Sequence, residues 1–194
     1  MEKLLHRLGQ NPVMPAVRSE GEALEKALSG DHPAILVLGG DVFELADRIG
    51  ARERRPPVIV NVDLVGGIAG DTTGIRFLSQ HVEGIISTSR RVIELGNHTD
   101  LITIQRLFAL DGMAMERGLK LTKRTKPQCL EILPGLAYPR MVSSYSELRE
   151  HPVLAGGFIR SPEELSYILD AGAVGASTSH QELWKYTLDS KVEA

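Results

Sequence analysis

The residues of this chain best suited to chemistry fall into two groups. The first is the pair Gly156-Gly157 and, further along, the hydroxyl run Ser177-Thr178-Ser179. Each follows a short apolar run, Val153–Ala155 and Ala173–Ala176, and each precedes a helix start. Ser161-Pro162-Glu163-Glu164 supplies an N-cap, a proline at the first helical position and acids in the first turn. Glycine lets the backbone approach a ligand closely, and N–H groups and hydroxyls ahead of a helix suit a phosphate. The second group is polar residues set inside or at the end of apolar runs. Asn61 and Asp63 share one face of Val58–Asp63, and Thr103 and Gln105 share one face of Leu101–Leu107. Glu131 interrupts Cys129–Leu133, and Arg18 ends Val13–Val17. A buried polar group without a partner costs roughly 1–3 kcal/mol. Two readings meet that requirement: an ion-pair network joining Arg18 to Asp63 or Glu131, or a pocket in which the acids accept hydrogen bonds from ligand hydroxyls. Both can hold at once. Arg106 has the opposite parity to Gln105 and leans either behind its strand or toward the strand end. Arg160 either adds charge for the phosphate or stands in solvent.

Other chemistry has no signature. There is no nucleophile elbow, no P-loop and no dinucleotide-binding glycine pattern after a strand. The six histidines lack metal-ligand spacing, and Cys129 opens an apolar run, where packing is its expected role. Asp63 or Glu131 keeps a general-base role open. The expectation is no metal and no cofactor.

These residues must be positioned by regular elements, and the chain alternates them. Short apolar runs at Val13–Val17, Ala34–Leu38, Val58–Asp63, Gly84–Ser87, Leu101–Leu107, Cys129–Leu133, Val153–Ala155 and Ala173–Ala176 are each followed by a helical stretch. Helices are expected at Glu20–Ser29, at Val42–Arg52 after Asp41, from Asp71 or Thr72 to Gln80, and at Arg90–Leu95. More follow from Asp111 to Thr125, over Tyr138–Arg149, from Ser161 to Ala171, and over His180–Lys185. Eight alternating units imply a parallel sheet closed into a compact (β/α)8 TIM-like barrel, one domain over residues 1–194. An open doubly wound sheet is the alternative. At 194 residues the chain is well below the roughly 250 typical of the barrel, so little remains for a lid.

The apolar runs are too short to span a bilayer, the N-terminus lacks a signal-peptide pattern, and there is one cysteine. The expected location is cytoplasmic, with no membrane partner. A net charge of −3 argues against a surface that tracks nucleic acid throughout, but permits a local basic face. Arg52, Arg54 and Arg55 lie at a helix end, where cations favour the dipole. Arg117, Lys120, Lys123, Arg124 and Lys126 crowd the helix after the fifth strand, and spacings of three and four put several on one face. That face is either solvated or a seat for RNA phosphates.

Taken together, the segments PVMPAVR (Pro12–Arg18), VDLV (Val62–Val65), GIIST (Gly84–Thr88), IQRLFAL (Ile104–Leu110), EILPG (Glu131–Gly135), LAGGFIR (ending at Arg160) and AGAVGASTSHQELW (Ala171–Trp184) resemble the glycerol-3-phosphate-responsive antiterminator family. The match runs in order over nearly the whole chain. Two departures stand out: Ser89 follows the fourth strand's IST where the family usually carries a basic residue, and the loop after the third strand is Gly66-Gly67-Ile68-Ala69. The resemblance implies a barrel that senses glycerol 3-phosphate as an effector and binds leader mRNA to prevent transcription termination, with no turnover. With that effector, the reading of the residues above puts the phosphate at Gly156, Gly157, Ser177, Thr178 and Ser179 and the rest of the ligand at Arg18, Asp63, Gln105 and Glu131. RNA then falls to Arg117, Lys120, Lys123 and Arg124, with Arg90 and Arg91. A barrel enzyme (isomerase or lyase) acting on a phosphorylated substrate, a sensor acting through a protein, and a homo-oligomer all stay open.

Overall fold

The computed structural model describes residues 1–187. Eight parallel strands form the barrel: β1 (Val13–Val17), β2 (Ile35–Val37), β3 (Val58–Asn61), β4 (Gly84–Ser87), β5 (Ile102–Phe108), β6 (Cys129–Leu133), β7 (Val153–Gly156) and β8 (Gly175–Thr178). Their order around it is β1-β8-β7-β6-β5-β4-β3-β2, with every strand beside its neighbours in the chain. The pairing of Val13, Met14 and Pro15 with Ala176, Ser177 and Thr178 closes the ring and excludes an open sheet.

Both faces of the strands are covered, which is why runs such as Ile35-Leu36-Val37 are apolar without alternation. Alternation decides instead which core a residue joins. Met14, Leu36, Ile59, Ile86, Ile104, Cys129 and Leu154 fill the barrel interior, and Leu4 and Leu8 of α1 (Glu2–Leu8) close it at the N-terminal end. Val13, Val37, Val60, Ile85, Leu130 and Val153 point outward and pack under the surrounding helices.

Those helices are α2 (Glu22–Ser29), α3 (Val42–Gly50), α4 (Thr72–Ser79), α5 (Arg90–Gly96), α6 (Gly112–Thr125), α7 (Tyr138–Ser144) and α8 (Pro162–Asp170). Asp41, Asp71, Asp111 and Ser161 cap α3, α4, α6 and α8 by accepting from first-turn N–H groups. Ser161 and Glu164 complete a reciprocal capping box. Above the barrel, Gly40–Asp41 and Val65–Gly66 form a small parallel pair. Among the described residues no helix is long and apolar enough to cross a membrane.

Three expected elements differ. The helix over Tyr138–Arg149 breaks at Tyr145, whose extended backbone seats its ring against the core and lets its hydroxyl donate to Gly112 O at 3.3 Å; a 3-10 turn, Ser146–Glu150, follows. The last strand is Gly175–Thr178 because Gly172 (φ +100°) and Ala173 still serve to end α8, Ala173 N–H reaching back to Ile168 O. The final helix is a 3-10 turn, Gln181–Lys185, held against the end of β8 by Trp184 Nε1 donating to Thr178 O at 2.9 Å.

Candidate ligand-binding site

The C-terminal mouth of the barrel holds a cavity of about 670 Å³, within the roughly 300–1,000 Å³ of small-ligand sites. Its floor is made by four strands, β5 to β8. β5 and β6 are in register with Arg106 opposite Glu131. Glu131 is fully buried, and Arg106 Nε donates to its Oε2 at 2.6 Å, while Ser177 Oγ donates to its Oε1 at 2.7 Å. Both carboxylate oxygens are therefore held by the protein. Arg106 is 8% exposed and lines the cavity, and its two terminal nitrogens have no partner among the described residues. They are donors left for a ligand.

Gly156 belongs to this floor because nothing larger fits. A Cβ there would lie 2.7 Å from Ser177 Oγ and 2.8 Å from Glu131 Oε1. Gly157 turns the chain out of β7 at φ +79°, a conformation glycine adopts freely. Phe158 follows at φ +62°, strained for a side chain of its size, and is 68% exposed at the rim. Among the described residues no hydrogen bond uses the N–H groups of Gly157, Phe158 or Ser179. Ser177, Thr178, Ser179, Arg160 and His180 complete this side. Thr178 Oγ1 donates to Ile159 O at 2.8 Å and accepts from His180 N at 3.1 Å, so this hydroxyl fixes the two loops to each other. The lining carries Arg106 and Arg160 against one carboxylate, Glu131, an excess that suits an anion.

The remaining expected ligand residues lie elsewhere. Gln105 points outward, because the register that brings Arg106 inside turns its neighbour to the helices. Its Nε2 donates to Thr88 O at 3.0 Å, and its buried Oε1 has no partner among the described residues. Thr103, on the same outer face, donates to Asn97 Oδ1 at 2.7 Å. Asp63 lies past the end of β3, where Asn61 Oδ1 accepts its N–H and turns the chain. Its carboxylate accepts from Ser87 Oγ, Thr88 N (2.7 Å) and Thr88 Oγ1 (2.9 Å), joining β3 to β4 outside the cavity lining. Arg18 is two-thirds exposed and faces Glu20 at 3.8 Å, so the expected network with Asp63 or Glu131 does not form. Arg106 is the residue the sequence argument left undecided. A buried Glu131 demanded a cation, and Arg106, one strand away at the same height, was the available one.

Cys129 is buried below this floor. Burial, with the charge of Glu131 adding to it, pushes its thiol up to about 12, which removes it as a nucleophile. Among the described residues no group of histidines, cysteines and acids is arranged to hold a metal.

On the outside, Arg117, Lys120, Lys123 and Arg124 are all exposed on α6. Lys123 faces Glu147 at 3.8 Å, while Arg117, Lys120 and Arg124 have no acidic partner among the described residues. Arg90 and Arg91 open α5; Arg90 is paired with Glu94 at 2.7 Å, and Arg91 is exposed with no acidic partner among the described residues.

The family described as glycerol-3-phosphate responsive antiterminator matches residues 13–184. This chain belongs to it. The crystal structure of the glycerol uptake operon antiterminator regulatory protein of Listeria monocytogenes is 31% identical, covers 89% of this chain and 94% of its own, and superposes with a TM-score of 0.81. A glycerol uptake operon antiterminator-related protein of Thermotoga maritima, 23% identical over 91% of this chain and 99% of its own, shares the fold with a TM-score of 0.76. The uncharacterized protein YgcP of Escherichia coli K12 is 29% identical over 93% of this chain and 95% of its own length. The segments that carry the antiterminator resemblance include β5, β6, the β7 turn and β8, the elements that build the mouth.

Proposed function

We propose that this chain is a glycerol-3-phosphate-gated regulator that binds the effector in the mouth cavity and leader mRNA on its basic outer face, preventing transcription termination. The observation that carries the reading is the set of donors around one cavity that no described residue uses: the two terminal nitrogens of Arg106 and the N–H groups of Gly157, Phe158 and Ser179. In this reading the N–H groups at the β7 and β8 turns, with Arg160, hold the phosphate, and the Arg106–Glu131–Ser177 floor meets the glycerol hydroxyls. Glu131 acts by orienting Arg106 and Ser177. The family to which the chain belongs supports both the effector and the regulatory outcome. A barrel enzyme using either proposed carboxylate as base is disfavoured, because both oxygens of Glu131 and of Asp63 accept from the protein's own donors. RNA is supported by the unpaired cations of α6.

Calorimetric titration with glycerol 3-phosphate, glycerol and inorganic phosphate tests the effector site. Wild type is expected to bind glycerol 3-phosphate more tightly than either fragment. Arg106→Met should lower affinity for glycerol 3-phosphate by tenfold or more, roughly the worth of one charged hydrogen bond. Gly157→Val should abolish it while the fold survives. Binding unaffected by both substitutions would move the site out of the mouth.

A further inference from the structure

The face that runs from the rim at the end of β5 down α6 combines two properties. At its top, Phe108, Leu110 and Met113 are 46%, 78% and 62% exposed, three large apolar side chains within six residues. Below them on α6, Arg117, Lys120 and Arg124 follow Met113 at intervals of four, three and four, which places all four residues on one stripe. From Gly112 to Lys126 the chain carries five cations and a single acid, Glu116.

We propose that this stripe is a track for single-stranded RNA, with bases seated on Phe108, Leu110 and Met113 at the rim and the backbone following the cations down the helix. The inference rests on the reading above that the partner is RNA, and specifies the form of RNA and how it lies. Exposed aromatic and apolar groups are of use to unstacked base faces, which a duplex hides. The excess of cations selects a polyanion over a protein segment, since protein interfaces are depleted in lysine. From Met113 to Arg124 the helix rises about 16 Å, room for about five nucleotides at the stacked spacing of roughly 3.4 Å. The stripe is held firmly at its upper end. Asp111 caps α6 by accepting from Ala114 N at 2.7 Å, and Tyr145 Oη donates to Gly112 O at 3.3 Å. It also adjoins the effector cavity, because Phe108 lies two residues beyond Arg106 on β5.

Such a track reads stacking and charge rather than sequence, so a random-sequence pool of labelled single strands of about 12 nucleotides is a sufficient probe. Binding is followed by fluorescence polarisation at two salt concentrations with saturating glycerol 3-phosphate, against the same strands annealed into duplex. Three proteins are compared: wild type, Phe108→Ala/Leu110→Ala, and Arg117→Gln/Lys120→Gln/Arg124→Gln. Wild type should bind single strands at least tenfold more tightly than duplex. The first variant should lose roughly tenfold or more in affinity at an unchanged salt slope, since it removes stacking alone. The second should flatten the slope of log K against log salt by about 2, the share of three phosphate contacts. Both variants should keep wild-type affinity for glycerol 3-phosphate, which confirms that they fold. Duplex bound as tightly as single strand, or wild-type binding by the first variant, would overturn the track while leaving an RNA-binding regulator intact. Failure of wild type to bind either form would overturn both. A wild type that self-associates while the first variant is monomeric would assign the apolar patch to a second copy and likewise overturn it.

Discussion

The two ends of the barrel are made by the same strands with the same alternation, yet they hold opposite interiors. At the N-terminal end, Met14, Leu36, Ile59 and Ile104 meet Leu4 and Leu8 of α1 in an apolar plug. Two residues beyond Ile104, Cys129 and Leu154 on β5, β6 and β7, the inward positions become Arg106, Glu131 and Gly156, which meet Ser177 of β8. Adjacent layers of side chains thus set an apolar region against a polar one, the one proposed to receive the effector. The lower layer gains by excluding water. The upper one retains buried charge that an apolar filling would make unnecessary, with a strained Phe158 at its rim, and both support the proposal that a ligand is received there.

If the layers differ in this way, damage to each should have its own signature. The largest effect is expected from Glu131→Ala, which leaves Arg106 buried without its counter-charge; breaking such a pair costs roughly 3–5 kcal/mol. Denaturant unfolding would register it, and Glu131→Gln should cost distinctly less because an amide oxygen still accepts from Arg106. A loss below about 1 kcal/mol for the alanine variant would mean that the upper layer is wet and behaves like surface. Next comes Leu36→Ala in the lower layer, expected to cost roughly 2–5 kcal/mol by leaving a cavity. Unlike the first, it should leave glycerol 3-phosphate affinity of the folded protein unchanged by calorimetry; a parallel loss of affinity would show the layers to be coupled.

The smallest effect concerns the boundary between them. Cys129 lies just below Glu131 on β6, and burial raises its thiol from an ordinary 9.0 to about 12. The folded state thus keeps a proton that the unfolded chain gives up, so this stabilisation is complete below the ordinary value and is lost as pH rises through the folded one. Alkylation of native protein at pH near the ordinary value should proceed only as fast as the chain unfolds. Reaction at the rate of an exposed thiol would place water below the floor.

Much of this architecture was legible in the residues, and the failures have a common cause. Eight apolar runs separated by caps and glycines specify the barrel, because a parallel strand covered on both faces must be apolar and its helix must start somewhere. That Gly157 and Ser177–Ser179 stand at one cavity was legible because glycine and serine at strand ends have few structural reasons to be there. What failed was parity on β5. Thr103, Gln105 and Arg106 put polar groups on both faces of one strand, and only the register against β6 decides which face is inside. Asp63 misled for a related reason: Asn61 turns the chain before it, so counting by twos ran past the strand's end. Tyr145 broke a helix by virtue of a contact with Gly112, distant in sequence and invisible to local pattern.

The short helix α1 has a consequence for traffic. With Leu4 and Leu8 stoppering one end, the barrel is a cul-de-sac, and whatever enters by the rim must leave by the rim. The residence time of a small molecule inside is then set at the single doorway, by whatever stands across it. A macromolecule resting over the doorway would slow escape without touching the captive, and would equally delay entry.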